Sequence, residues 1–75
     1  MPTIKILEGV KVEMFFHDHL PPHVHVSYNE HEELIEIRSL ATYEGDLPRK
    51  QRKVAIEWMQ VNQEFLLKKW EEFSG

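Results

Sequence analysis

Alternating apolar and polar residues in the first half of the chain predict four β-strands. The alternation, interrupted by short polar turns, covers residues 3–7, 10–16, 23–28 and 33–38. In the third segment, Val24 and Val26 share one face, and His23 and His25 share the other. The pattern therefore predicts an antiparallel β-meander with one buried face.

Helical spacing replaces this alternation after a loop at 39–47. Pro48 suits the first turn of a helix, and Asn62 can cap a second one, so we expect a helix over 48–61 and a second helix or a continuation to 73. The apolar positions that should face the sheet are Val54, Trp58, Val61, Phe65, Leu66, Trp70 and Phe73. The predicted fold class is α+β, a four-stranded antiparallel meander covered on one face by C-terminal helix, in a single domain.

The turn at 29–32 predicts the register of the last hairpin. A four-residue turn there places Glu36 across from His25, and it places Arg38 across from His23. The apolar faces of the two strands then coincide. Both charged residues are therefore predicted neighbours of the histidines.

The connection at 18–22 makes a similar prediction for the preceding hairpin. It places Phe15 across from His25 and His17 across from His23. These four side chains are expected on the sheet face that points away from the helices. Together with Leu34 on that face, Phe15 would favour a homodimer, because both are poorly suited to full exposure.

Composition limits the class of protein. The chain has 75 residues, no cysteine and a formal net charge of −4, which indicates a small domain without disulfides or thiolate metal ligands. The acidic excess argues against bulk electrostatic binding to nucleic acid or to an anionic membrane. No apolar run could span a bilayer and no signal peptide is predicted, so we expect a cytoplasmic protein.

The candidate chemistry lies in residues 17–25, which contain four of the five histidines. Asp18 accompanies them, and Pro21 and Pro22 stiffen the loop that leads into the third strand. The fifth histidine, His31, lies in a polar turn and is expected to be solvated.

Three roles suit this cluster. Neutral imidazoles and a carboxylate could bind a divalent transition metal, with His23 and His25 chelating one ion and His17, His19 or Asp18 completing the set. The three histidines His19, His23 and His25 could instead act as acid and base on a phosphodiester, as in a ribonuclease. The third role is structural, with hydrogen-bonded histidines supporting a surface for a partner protein.

A second feature is the basic run at 49–53, which holds four of the nine basic residues. Cations at the start of a helix oppose its macrodipole, so compensation is expected. The run could be a solvated face with salt bridges to Glu44, Asp46 or Glu57. Alternatively, Arg49 and Arg52 could contact phosphate or an acidic partner.

The chain resembles the small bacterial domain-of-unknown-function 4160 family over nearly its whole length. The resemblance lies in the opening Met-Pro-Thr-Ile, the block from Phe16 to Val26, Leu47-Pro48-Arg49, Glu57-Trp58 and the segment from Leu66 to Trp70. It implies a bacterial or phage protein that is often encoded beside another small domain, in the manner of a toxin–antitoxin pair. A small protein partner is therefore expected.

The resemblance also ranks the candidate residues. It carries over Asp18, His19, Pro21, Pro22, His23 and His25, and more weakly Arg49 and Trp58. In that family the position of His17 is frequently arginine, which shifts the predicted site toward His19, His23 and His25. We assign binding roles to Glu36, Arg38, Arg49 and Arg52, and structural roles to Pro21, Pro22 and Trp58.

Overall fold

The computed structural model describes residues 3–15 and 21–74, which form one antiparallel sheet followed by two helices. The strands are β1 (Thr3–Leu7), β2 (Val10–Glu13), β3 (His23–Tyr28), β4 (His31–Glu36) and β5 (Thr42–Asp46), and the helices are α1 (Arg49–Val61) and α2 (Gln63–Ser74). The sheet order is β1-β2-β3-β4-β5. The α+β class and the antiparallel meander are thus confirmed, but the strand number is five and not four.

Two tight turns close two hairpins of the sheet, one between β1 and β2 and the other between β3 and β4. Glu8 and Gly9 both have positive φ, at 51° and 80°, as a two-residue type I′ turn requires. Between β3 and β4 the turn contains Asn29, with φ of 54°, and Glu30. Asparagine tolerates this left-handed conformation, so the turn closes with two residues.

The shorter turn corrects the predicted register of β3 and β4. His25 pairs with Leu34 and His23 pairs with Glu36, so the register is shifted by two residues from the prediction. Because side chains alternate with a period of two, this shift leaves every residue on its predicted face. It does, however, replace Arg38 by Glu36 as the neighbour of His23.

The register of β2 and β3 differs from the prediction in the same way. Glu13 pairs with His25, whereas Phe15 was expected there. β2 ends at Glu13, three residues earlier than expected. The predicted pairing of His17 with His23 involves residues 16–20, which lie outside the described part of the chain.

The fifth strand occupies part of the predicted loop. All five residues of β5 are exposed, and the strand is irregular where Leu34 and Ile35 pair with Glu44 and Thr42. Glycine and acidic residues make this segment a poor strand candidate by composition. Such features are nevertheless common in edge strands, which avoid further pairing in this way.

The core lies between one face of the sheet and the helices. Its sheet residues include Val10, Val12, Met14, Val24, Val26, Ile35 and Ile37, and its other members are Leu47, Ala55, Met59, Leu66 and Trp70. Burial of these large side chains contributes ~1.5–3 kcal/mol each to folding. Neither helix has the length and apolar character that a membrane-spanning segment requires.

The helices face the core only partly as predicted: Leu66, Trp70 and Phe73 pack there, but the assignment differs in α1 and at the start of α2. Ala55 and Met59 are fully buried, whereas Val61 is 85% exposed and Phe65 is 44% exposed. The assignment of Val61 and Phe65 to the core is therefore wrong. The helix stops at Asn62, whose backbone N–H donates to Met59 O and whose Nδ2 donates to Trp58 O. This break ends the periodicity on which the assignment of Val61 and Phe65 depended.

Candidate functional site

His23 lies at the centre of a group of aromatic rings. Its side chain is fully buried, and its Nδ1–H donates a hydrogen bond of 2.8 Å to the carbonyl oxygen of Pro21. The ring centroids of Trp70 and Tyr43 lie 5.3 Å and 5.8 Å from that of His23. Packing and the hydrogen bond therefore fix both the position and the rotation of this imidazole.

The burial of His23 corrects its predicted environment. It alternates with Val24 along β3 as expected, but it does not lie on an open face. Trp70 of α2 packs against its ring. The second helix begins separately at Gln63, and this start places Trp70 next to the histidine. The Nε2 atom of His23 is buried as well, so this residue is placed to hold neighbouring groups in position.

His25 is the more accessible of the two histidines. Its side chain is 18% exposed, and its ring lies 5.2 Å from that of His23. Phe15 packs edge-on against it at 4.1 Å and is half-buried within the protein. The homodimer predicted from Phe15 and Leu34 stays a prediction.

Carboxylates stand beside His25. Its Nδ1 is 3.7 Å from Oε2 of Glu32, and a pocket of about 210 Å³ at this point is lined by His25, Glu32, Glu33, Leu34, Glu44 and Gly45. We refer to the surface formed by Phe15, His25, Tyr43, Glu32 and Glu44, with the buried His23 beneath it, as the histidine face. A partly exposed imidazole, a tyrosine ring and two carboxylates are groups that suit a cationic side chain.

Glu36 and Arg38 do not take the places predicted for them. Glu36 pairs with His23 in the sheet, and its side chain accepts a hydrogen bond from Ser39 Oγ. Arg38 follows β4 and is exposed; its carbonyl oxygen accepts a hydrogen bond from Gln63 Nε2. The prediction that these two residues stand across from His25 and His23, respectively, is therefore wrong.

Three residues of the predicted site, His17, Asp18 and His19, lie outside the described residues. Within residues 3–15 and 21–74, no three histidine or carboxylate side chains are grouped to bind one metal ion. Since the predicted metal set includes Asp18 and His19, that site stays a prediction. His31 is exposed, as expected for a solvated histidine.

Pro21, Pro22 and Trp58 occupy structural positions. Pro22 O accepts a hydrogen bond from the backbone N–H of Ile37, and Pro21 O accepts the one from His23. The two carbonyls thus tie the entry of β3 to the end of β4 and to the buried imidazole. Trp58 is half-buried and packs against the core.

Glu33, which the sequence analysis did not single out, accepts hydrogen bonds from three other residues of the described chain. It is 1% exposed. Its Oε1 accepts the backbone N–H of Leu47 at 3.0 Å, and its Oε2 accepts Arg52 Nε at 2.8 Å and the hydroxyl of Thr42 at 2.5 Å. One carboxylate therefore joins β4 to β5, to the segment that precedes α1 and to α1 itself.

Arg52 is consequently part of the fold. Its Nε and Nη2 donate to Thr42 Oγ1 at 3.2 Å and 2.9 Å, in addition to the bond with Glu33. This pairing replaces the salt bridges to Glu44, Asp46 or Glu57 that were one of the two predictions for the basic run. The sequence gives only one local indication of this pairing, which is that Glu33 lies on the same face of its strand as Ile35 and Ile37.

The other cations of the basic run are not compensated within the described residues. Arg49, Lys50 and Lys53 form no ion pair there. The first turn of α1 has no acidic residue, and Pro48 provides no side-chain cap. Within the described residues, the carboxylate of Glu33, bonded to Leu47 N–H and Arg52, is the negative group that offsets part of the macrodipole cost.

Replacing His23 by alanine is expected to lower the free energy of unfolding by about 2 kcal/mol, because a buried ring and the donor for Pro21 O are lost. Urea unfolding measures this change. His31→Ala is the matched control, since it removes an exposed histidine and should change stability by less than about 0.5 kcal/mol. Equal small losses in both variants would contradict the positioning role of His23.

The chain was compared with known families and proteins. A family profile described as "Domain of unknown function (DUF4160)" matches residues 9–71, which include the histidine face, Glu33 and α1. No curated protein and no solved structure matches the chain. Because the family match covers most of the sequence, this protein belongs to the DUF4160 family.

Proposed function

We propose that this protein is the partner-binding component of a toxin–antitoxin-like pair in the bacterial or phage cytoplasm. The partner is a small basic protein encoded beside it, and it docks on the histidine face. His23 supports that face from below, and His25 and Tyr43 contact the partner. The proposed role is therefore recognition.

The observation that carries this proposal is the complete burial of His23 within a cluster of rings. A histidine that transfers protons to a substrate must reach it directly or through one water molecule. His23 instead uses Nδ1 on a backbone carbonyl and packs against Trp70. Side chains held in this way form a rigid platform, which reduces the entropy lost when a partner binds.

The rim of the platform indicates the chemistry of the partner. Tyr43 is 42% exposed and Glu32 is 62% exposed at the side chain, so an aromatic ring near His23 and a carboxylate near His25 both reach the surface. Tyrosine is enriched at the centres of protein interfaces. The net charge of −4 would also favour encounter with a basic protein.

The test is isothermal titration of the purified chain with the protein encoded next to it. We expect a one-to-one complex in which His25→Ala or Tyr43→Ala weakens binding by about tenfold or more, a loss typical of an interface anchor. His31→Ala is the control for loss of a histidine, and it should bind like the unaltered chain. Urea unfolding of each variant separates a loss of contact from a loss of fold.

Two results would overturn this proposal. One is the absence of any complex between the two proteins. The other is cleavage of RNA by the isolated chain that disappears in His25→Ala, which would favour the ribonuclease-like alternative with His19, His23 and His25 as acid and base.

A further inference from the structure

A groove of about 520 Å³ lies beside the first turns of α1. It is lined by Leu47, Arg49, Arg52, Lys53, Ile56 and Glu57, none of which belongs to the histidine face. Two of the six residues are aliphatic, and three are cations. The groove therefore combines apolar walls with a positive rim.

The cations of this groove are available to a ligand. Arg49 and Lys53 are exposed and make no ion pair with any described carboxylate. Four of the nine basic residues of an acidic chain are concentrated at 49–53. Apart from Arg52, which pairs with Glu33, these cations have no ion pair with a described carboxylate, and a bound anion would reduce the repulsion among them.

Arg52 adds a fixed cation to this rim. Glu33 and Thr42 accept its Nε and Nη2 hydrogens, and 36% of its side chain remains exposed. The guanidinium is therefore held in one orientation before any ligand arrives, which reduces the entropy lost on binding. Its positive charge is partly balanced by Glu33, so Arg49 and Lys53 supply most of the attraction.

We propose that this groove is a second docking site, which binds an acidic, apolar segment of a protein. Carboxylates of the segment would pair with Arg49 and Lys53, and a leucine-like side chain would pack against Ile56 and Leu47. Glu57 favours a peptide over nucleic acid, because its carboxylate can accept a peptide N–H, whereas a phosphodiester backbone offers no such donor. This inference does not depend on the function proposed for the histidine face.

The test uses fluorescence anisotropy with the full chain and a labelled peptide of alternating glutamate and leucine. We expect saturable binding that Arg49→Glu/Lys53→Glu weakens by about tenfold or more, since both proposed ion pairs become repulsive. Glutamate near the start of a helix matches the macrodipole, so this variant should keep its fold, and urea unfolding checks that it does.

The control variant is Lys5→Glu/Lys68→Glu, which makes the same change in net charge at two exposed lysines outside the groove. It should bind the peptide within about twofold of the unaltered chain. The inference fails if the peptide does not bind or if both double variants lose affinity equally. It also fails if a glutamate-only peptide or a single-stranded RNA oligonucleotide binds as tightly as the glutamate–leucine peptide.

Discussion

Replacing Glu33 by alanine is expected to lower the free energy of unfolding by about 3 kcal/mol, a large share of the stability of a small domain. The substitution removes the acceptor for the Leu47 backbone N–H, the Thr42 hydroxyl and the Arg52 guanidinium. A buried backbone N–H that loses its partner costs ~1–3 kcal/mol by itself. Urea unfolding followed by circular dichroism measures the loss.

Two further variants separate the causes of this effect. Glu33→Gln keeps the side-chain volume and one acceptor oxygen, but its NH₂ group cannot accept from Arg52, so a loss of about 2 kcal/mol is expected. Glu30→Ala removes an exposed glutamate from a turn and should change stability by less than about 0.5 kcal/mol. If Glu33→Ala were as stable as Glu30→Ala, the central position of this carboxylate in the fold would be refuted.

Gly45→Ala is expected to destabilise the protein by a similar amount, about 3 kcal/mol. The residue has φ of +85°, and an added Cβ would lie 2.3 Å from the carbonyl oxygen of Glu32 and 3.1 Å from Cα of Glu33. These are backbone atoms of the neighbouring strand, so they cannot move aside without distorting β4. Thermal and urea unfolding both report the effect.

Gly9→Ala is the matched control for Gly45→Ala. Gly9 has a similar φ of +80°, but its nearest neighbour would be the ring of Tyr28 at 3.4 Å, an ordinary contact. Only the cost of the left-handed conformation is then expected, roughly 1–2 kcal/mol. Losses of equal size in the two variants would show that the close approach of Gly45 to β4 has no energetic consequence.

The sequence predicted most of the fold because the relevant patterns are local. Alternation in β2 and β3 identified the buried valines, and Asn62 marked the helix break. In β1 alternation failed, because Ile4 and Leu7 pack against the core while Ile6 is 62% exposed, next to a register shift between Thr3 and Lys5. The register of β3 and β4 differs from the prediction because the polarity of a segment does not show the length of its turn. Asn29 in the left-handed region closes the turn between β3 and β4 with two residues, and polarity alone does not distinguish a turn residue from an exposed strand residue.

The candidate site was predictable only in part. Alternation placed His23 and His25 on one face of β3, and their rings are indeed 5.2 Å apart. The burial of His23 was not predictable, because it depends on Trp70, which is distant in sequence. The same applies to Glu33, whose partners Thr42, Leu47 and Arg52 are 9, 14 and 19 residues away. A sequence pattern shows that a carboxylate faces the core but does not identify its donors.

We propose the histidine face as the docking surface for a basic protein, with the buried imidazole of His23 supporting it from below. Glu33 lines the pocket beside His25 and also holds Arg52 at the groove. Whether a partner uses the histidine face can be measured without altering any residue.

Hydrogen–deuterium exchange of the chain, with and without the protein encoded beside it, is the most direct measurement. We expect the partner to slow exchange in residues 21–28 and 42–46, because His23 and His25 lie in β3 and Tyr43 lies in β5. Residues 3–7 of the opposite edge strand should exchange at an unchanged rate. Protection confined to residues 3–7, or to the groove residues 49–57, would contradict the assignment of the histidine face as the docking surface.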